Sequence, residues 1–153
     1  MDKKKVTAKG LTFETYLTSE EIAKQVNRVA QEIKNDCGDE APLFLCVLNG
    51  AFVFAADLFR ACDIAGSEMA FIRYKSYEGM STTGTVRQVL GLEEDITGRT
   101  VVVIEDIVDT GITAKALIAD LKAKNPKTVK FATLLFKPES LRTDAKPDYV
   151  GFE

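Results

Sequence analysis

TVVVIEDIVDTGIT, Thr100 to Thr113, is the stretch on which the reading of this chain turns. Val101, Val102, Val103 and Ile104 form a short unbroken β-branched run. Such a run suits a strand buried on both faces, as in a parallel sheet. Glu105 and Asp106 follow at once, then Asp109-Thr110-Gly111, Thr113, and a segment with helical periodicity from Ala114 onward. A strand, a small Gly-containing turn and a helix start make an anion site, because free backbone N–H groups at the helix N-terminus point at the ligand. Thr110 and Thr113 add hydroxyl donors, and Gly111 lets the backbone come close to a phosphate. The acidic residues repel a bare phosphate. They suit a sugar phosphate, since carboxylates accept hydrogen bonds from vicinal hydroxyls and hold Mg²⁺. A loop offering both sets of groups is shaped for a ribose 5-phosphate.

The rest of the composition narrows the setting. The chain has 153 residues, 46% hydrophobic and 28% charged, which fits one globular domain, 1–153. A net charge of −3 gives no electrostatic reason to expect nucleic acid or an acidic membrane. No apolar run approaches a membrane span, and MDKKKVTAKG carries no apolar leader core. Cys37, Cys46 and Cys62 are odd in number and lack a C-x-x-C spacing, and the chain has no histidine. Zinc sites and disulfide frameworks are therefore not expected, and a cytoplasmic setting is. Without histidine, Ser-His and Cys-His catalysis is excluded, so a general base near neutral pH must be a carboxylate, lysine, tyrosine or thiolate.

In chain order, Met1 to Gly10 reads as a loose basic tail. Thr18, three residues before Glu21, predicts a capping box, and Ile22, Val26, Val29 and Ile33 give one apolar helix face that ends at Gly38. Leu43–Leu48 is expected as a buried strand, followed by the turn Asn49-Gly50 and a helix from Ala51 to about Cys62. Glu68–Tyr74 is the next strand, and 75–92 is a polar, Gly-rich loop with a β-prone second half. Ala114–Lys124 is a helix stopped by Asn125-Pro126. Thr128–Phe136 and Asp148–Phe152 complete the strands. Strands alternating with helices argue α/β with a mainly parallel central sheet flanked by helices.

VVVIEDIVDTG resembles the phosphoribosyl-pyrophosphate (PRPP) motif of type I phosphoribosyltransferases. LFLCVLNGAFVFAADL (Leu43–Leu58), FIRYKSYEGMSTTG (Phe71–Gly84), ATLLFKP (Ala132–Pro138) and KPDYVGFE (Lys146–Glu153) lie in the order seen in the hypoxanthine-guanine phosphoribosyltransferase family. The resemblance runs from about Leu17 to the last residue. It implies the type I phosphoribosyltransferase fold with a small hood lobe, built from the C-terminal segment and part of the N-terminus, and a flexible β-arm. The implied activity is transfer of 5-phosphoribosyl from PRPP to hypoxanthine or guanine, giving IMP or GMP and pyrophosphate, with Mg²⁺ as cofactor and a homodimer or homotetramer as the assembly.

Residue by residue, the resemblance places Glu105 and Asp106 on the ribose hydroxyls and the metal. Asp109, Thr110, Gly111, Ile112 and Thr113 hold the 5-phosphate, and Asp109 is also the catalytic base toward N7 of the purine. Asn49 and Gly50 bind pyrophosphate through backbone N–H groups, often across a non-proline cis peptide. Asn49 stands where many relatives have lysine, so no charge contact is expected from it. Ser76 and Tyr77 ride on a mobile active-site loop, 75–92, that closes over an oxocarbenium-like transition state and keeps water out. Lys137 donates to the six-position oxygen of the purine.

Two other classes share parts of this pattern. A regulatory nucleotide-binding protein on the same fold usually carries a basic surface, and this chain is net acidic. A non-catalytic nucleotide-binding or assembly module is suggested by the chain end, because in the family KPDYVGFE is followed by a further segment with the last core strand and part of the purine site. The expectation is accordingly a shortened form, with the sheet face by Leu134–Phe136 uncovered. The retained Ser76-Tyr77, Asp109 and Lys137 favour an enzyme.

Overall fold

The structure is a computed structural model that describes residues 3–77 and 85–153. Side chains within 76–89 lie outside what it describes. In chain order the elements are β1 (Lys5–Ala8), β2 (Leu11–Glu14), α1 (Ser19–Cys37), β3 (Leu43–Leu48), α2 (Phe52–Cys62), β4 (Glu68–Tyr77), β5 (Thr85–Leu90), β6 (Thr100–Val108), α3 (Ile112–Lys122), β7 (Thr128–Phe136) and β8 (Tyr149–Phe152), with short 3₁₀ turns at Gly38–Glu40 and Pro138–Ser140.

Six strands form one sheet in the order β5-β4-β3-β6-β7-β8. All neighbours pair in parallel except β4 with β5, which is antiparallel. The central strands read as unbroken apolar runs because both of their faces are covered. Alternate residues go to opposite layers. Phe44, Cys46, Val102 and Ile104 meet Val29, Ile33, Phe54 and Leu58 of α1 and α2. Leu43, Leu45, Val47, Val101 and Val103 meet Leu117 and Leu121 of α3. All three cysteines are free and buried in the α1/α2 layer, as Cys46 in its apolar run led us to expect. Burial pushes their thiols up, to about 11 for Cys37 and Cys46 and about 12 for Cys62.

The topology fixes where a ligand can sit. From β3 the chain passes through α2 to β4 on one side, and from β6 through α3 to β7 on the other. The strand order thus reverses between β3 and β6, which pair with each other from Leu43↔Val101 to Cys46↔Ile104. Loops leaving the carboxyl ends of two such strands diverge and leave a crevice between them. Here those loops are Asn49-Gly50 and Asp109–Thr113.

Several boundaries differ from the sequence reading. The N-terminal stretch is not a loose tail: β1 and β2 pair antiparallel through a two-residue turn at Lys9 (φ 49°) and Gly10 (φ 74°). Two positive φ values in a row are the hairpin turn that matches strand twist, and Gly10 admits one of them without a steric cost. β6 runs on through Glu105 and Asp106 to Val108, because Glu105↔Thr133, Ile107↔Leu135 and Val108↔Phe136 continue its pairing with β7. α3 begins at Ile112, two residues before the expected start, directly after Gly111. β4 extends to Tyr77, since β5 pairs with its far half. The tip of the expected loop 75–92, residues 78–84, and the side chains of Ser76 and Tyr77 lie outside the described residues.

Two tertiary ties frame this layout. Tyr74 at the base of the β4–β5 arm donates its hydroxyl to Asp120 of α3 at 2.6 Å. On α1, Arg28 is held by Gln25 and Glu32, both at 2.7 Å, and its Nη2 donates to the β8 carbonyls of Val150 (2.5 Å) and Gly151 (3.2 Å).

Candidate active site

The carboxyl end of β6 supplies the acidic part of the site. Glu105 and Asp106 are successive residues near the end of β6, and their carboxyls adjoin each other. Asp106 turns toward the β3 turn. A Cβ built on Gly50 would collide with Asp106 Oδ2 and lie 2.9 Å from its Cγ, so only glycine leaves room for this carboxylate. Asp106 Oδ1 is anchored by the Ile107 N–H at 2.9 Å. Glu105 accepts from the Asp106 N–H at 3.3 Å. Burial first, and then the adjoining Asp106 carboxyl, push Glu105 up to about 8. The peptide bond between Leu48 and Asn49 is cis. Asn49 and Gly50 are exposed at the head of α2, where the Phe52 N–H turns back to the Asn49 carbonyl at 3.3 Å.

The loop after β6 wraps a cavity of about 120 Å³ lined by Glu105, Asp109, Thr110, Gly111, Thr113 and neighbouring β6 and α3 residues. Gly111 takes φ +81° and caps α3 without a side-chain partner, so the helix N-terminus opens onto this cavity. Oriented N–H groups and the positive end of the helix dipole there attract an anion. Asp109 is exposed at the lip of the cavity. Lys137 follows β7, with its own N–H bound to the Val108 carbonyl at 3.0 Å. That bond sets the root of the lysine side chain beside the start of the loop.

A second cavity, about 210 Å³, adjoins the first and shares Ile107 with it. Tyr16, Leu17, Leu135, Phe136, Lys137 and Phe152 also line it. It is a mainly apolar slot with one cation, Lys137, and one carboxylate, Glu153, at its edge, suited to a flat base with a polar rim. Sequence reading found Lys137 but missed Ile107, Leu135, Tyr16 and Leu17. Ile107 and Leu135 had a signal, because Ile107 follows Asp106 and Leu135 stands two residues before Lys137 at a strand's end. Tyr16 and Leu17 had none, since their approach to β7 and β8 spans the whole chain. Among the described residues, no group of three or more His, Cys, Asp or Glu side chains is placed to hold a metal. None of their helices is long and apolar enough to cross a membrane.

Glu105, Asp106, Asp109–Thr113, Asn49-Gly50 and Lys137 are thus drawn from three separate segments to one end of the sheet. Ser76 and Tyr77 end β4 on the same side, since β3 and β4 pair in parallel.

Comparison with known proteins gives the same picture. A family model described as phosphoribosyl transferase domain matches residues 12–153. The hypoxanthine-guanine phosphoribosyltransferase of Aquifex aeolicus is 37% identical over 147 residues, covering 95% of this chain and 82% of that protein. The Bacillus subtilis enzyme of the same name is 38% identical over 139 residues, 90% of this chain and 76% of that one. Among solved structures, a Bacillus anthracis hypoxanthine-guanine phosphoribosyltransferase with a HEPES molecule in its active site superposes with a TM-score of 0.86 at 38% identity, over 92% of this chain and 83% of that one. A Trypanosoma cruzi hypoxanthine phosphoribosyltransferase complexed with the product IMP gives 0.82 at 32% identity, over 99% and 77%.

Proposed function

Because this chain belongs to the hypoxanthine-guanine phosphoribosyltransferase family, we propose that it transfers the 5-phosphoribosyl group of PRPP to hypoxanthine or guanine, giving IMP or GMP and pyrophosphate. The observation that carries this reading is the contact of Asp106 with Gly50. It joins a turn suited to pyrophosphate to a strand end suited to ribose hydroxyls, with the anion-binding loop 109–113 next to both. A ligand with phosphate at one end, a diol in the middle and pyrophosphate beside the diol matches that sequence of groups.

The residues fit Mg²⁺. Glu105 and Asp106 are hard oxygen donors in adjacent positions, and two protein carboxylates with substrate oxygens and water completing the shell is the ordinary way this ion is held. When bound, the ion would supply charge neutralisation for the departing pyrophosphate.

In the proposed reaction the 5-phosphate sits on the N–H groups and hydroxyls of Thr110–Thr113, and the ribose hydroxyls donate to Glu105 and Asp106. The purine lies in the apolar slot by Ile107 and Leu135, with Lys137 donating to its six-position oxygen. That donation selects oxopurines, because the amino group of adenine cannot accept it. N9 attacks the anomeric carbon as the bond to pyrophosphate breaks, and the N7 proton passes to Asp109. Fixed groups placed around a labile glycosyl carbon supply the acceleration mainly through positioning and electrostatics. Ser76 and Tyr77, at the end of β4, would close over the reacting atoms.

A cytoplasmic site of action and a homodimer or homotetramer belong to the same reading. The three free thiols are consistent with a reducing compartment, and Phe52 (59% exposed) and Val53 (56%) on α2 are apolar surface for a partner subunit. The test is PRPP-dependent pyrophosphate release measured over hypoxanthine, guanine, xanthine and adenine. Turnover with the first two and none with adenine is expected, and no release with any base would sink the reading.

A further inference from the structure

Between β7 and β8 the chain makes a detour, Leu141–Ala145, whose covalent link to the phosphate loop runs through the whole of α3 and β7. It nevertheless lies directly behind that loop. The Arg142 N–H donates to the Thr110 carbonyl at 2.8 Å. The Thr143 hydroxyl donates to the Gly111 carbonyl at 3.1 Å and accepts from the Ala145 N–H at 3.2 Å. A Cβ on Gly111 would stand 2.5 Å from Thr143 Oγ1 and 2.7 Å from Leu141 Cδ1, so the detour is seated against the bare glycine.

These bonds fix more than a distance. A trans peptide is planar, with its C=O and N–H pointing in opposite directions. Pulling the Thr110 carbonyl back toward Arg142 therefore turns the Gly111 N–H forward. The Gly111 carbonyl accepts from the Lys115 N–H of α3 at 2.9 Å and from Thr143, and the two together turn the Ile112 N–H forward, where it donates to Thr110 Oγ1 at 3.4 Å. Thr110 and Gly111 both line the cavity. Two successive N–H groups aimed into one concavity bind an anion. The Thr143 hydroxyl accepts from the Ala145 N–H and turns its own proton to Gly111.

We propose that Leu141–Ala145 is a strap that aims the phosphate-binding peptides, with Thr143 as a positioning residue for the 5-phosphate of the substrate. This rests on the functional reading above. The strap never touches the ligand. It spares the substrate the cost of rotating two peptide planes when it binds, which is how preorganisation raises affinity.

The experiment compares Thr143→Val, which keeps the branched shape and loses the hydroxyl, with Thr143→Ser, which keeps the hydroxyl. PRPP and pyrophosphate affinities are measured by calorimetry in the presence of Mg²⁺. Amide hydrogen exchange of Gly111 and Ile112 is followed in the ligand-free protein. For Thr143→Val, PRPP binding should weaken about three- to tenfold, the scale of one hydrogen bond. Pyrophosphate binding should hold, and the two amides should exchange faster. Thr143→Ser should restore all three readings. Equal PRPP affinity in Thr143→Val and the natural chain would overturn the strap. So would an equal loss for PRPP and pyrophosphate, which marks general loosening. If the natural chain itself bound no PRPP, the functional reading would fall, and the exchange rates of the two amides alone would decide the strap.

Discussion

Asp109 is the one carboxylate of the acidic trio that lies on the loop and not in β6, exposed at the cavity's lip where a base can reach it. Asp109→Asn should lower the turnover number by about 10²–10⁴, the usual worth of a positioned general base. PRPP should still bind, since the phosphate donors in the proposed reaction are backbone N–H groups and hydroxyls. Steady-state kinetics with a PRPP titration separates the two effects. Gly50 makes a sharper case. Gly50→Ala puts a methyl where Asp106 Oδ2 now sits, so the carboxylate must swing away from the β3 turn. The KM for PRPP should rise about tenfold or more, the scale of a lost hydrogen bond to a charged group. In an Asp106→Ala background the same substitution should add little, and that non-additivity is the signature of direct contact. At this scale the sequence marked out Glu105, Asp106, Asp109 and Lys137 by charge and position, and the fold brings them to one end of the sheet. The sequence was silent on Thr143, whose hydroxyl matters only because β7 and its exit loop return to Gly111.

α1 shows how far local rules reach. The capping box expected from Thr18 and Glu21 is present, with Glu21 N–H to Thr18 Oγ1 at 3.1 Å and Thr18 N–H to Glu21 Oε2 at 2.7 Å. Thr18→Ala should cost ~1 kcal/mol and lower the melting temperature by about 2–4 °C, read by calorimetry. β3 and β7 match the expected spans to the residue, because their apolar runs stop at Asn49-Gly50 and Lys137-Pro138. β6 outruns its apolar segment, because strand length is set by the partner and β7 stays paired to Phe136. The β1–β2 hairpin escaped notice for the opposite reason. All eight of its strand residues are exposed, the alternation in Leu11–Glu14 spans only four residues, and the lysines before it read as a solvated tail.

For the molecule as a whole, buried apolar runs alternating with helices were enough for the parallel class, but not for the order of the strands. An apolar run does not name its neighbours, and it is the placement of β3 beside β6 that brings Gly50 to Asp106. A site assembled from several crossovers makes ligand binding a measure of the intact fold. PRPP with Mg²⁺ at a hundred times its dissociation constant should raise the melting temperature by about 5–10 °C. A chelator should remove most of that gain, and thermal scans with and without it check the metal's part. The tie from Arg28 to β8 has a consequence of another kind. Carbonyls at the margin of a sheet are a template on which a strand of another chain can add, and fibrous association begins that way. Arg28, steadied by Gln25 and Glu32, occupies carbonyls of this outermost strand with one guanidinium and sets a charge beside them. Its contribution is then less to how tightly the protein folds than to whether crowded molecules stay separate while folding. Arg28→Ala should leave activity in place yet scatter light during refolding, increasingly so with protein concentration, where the natural chain stays clear.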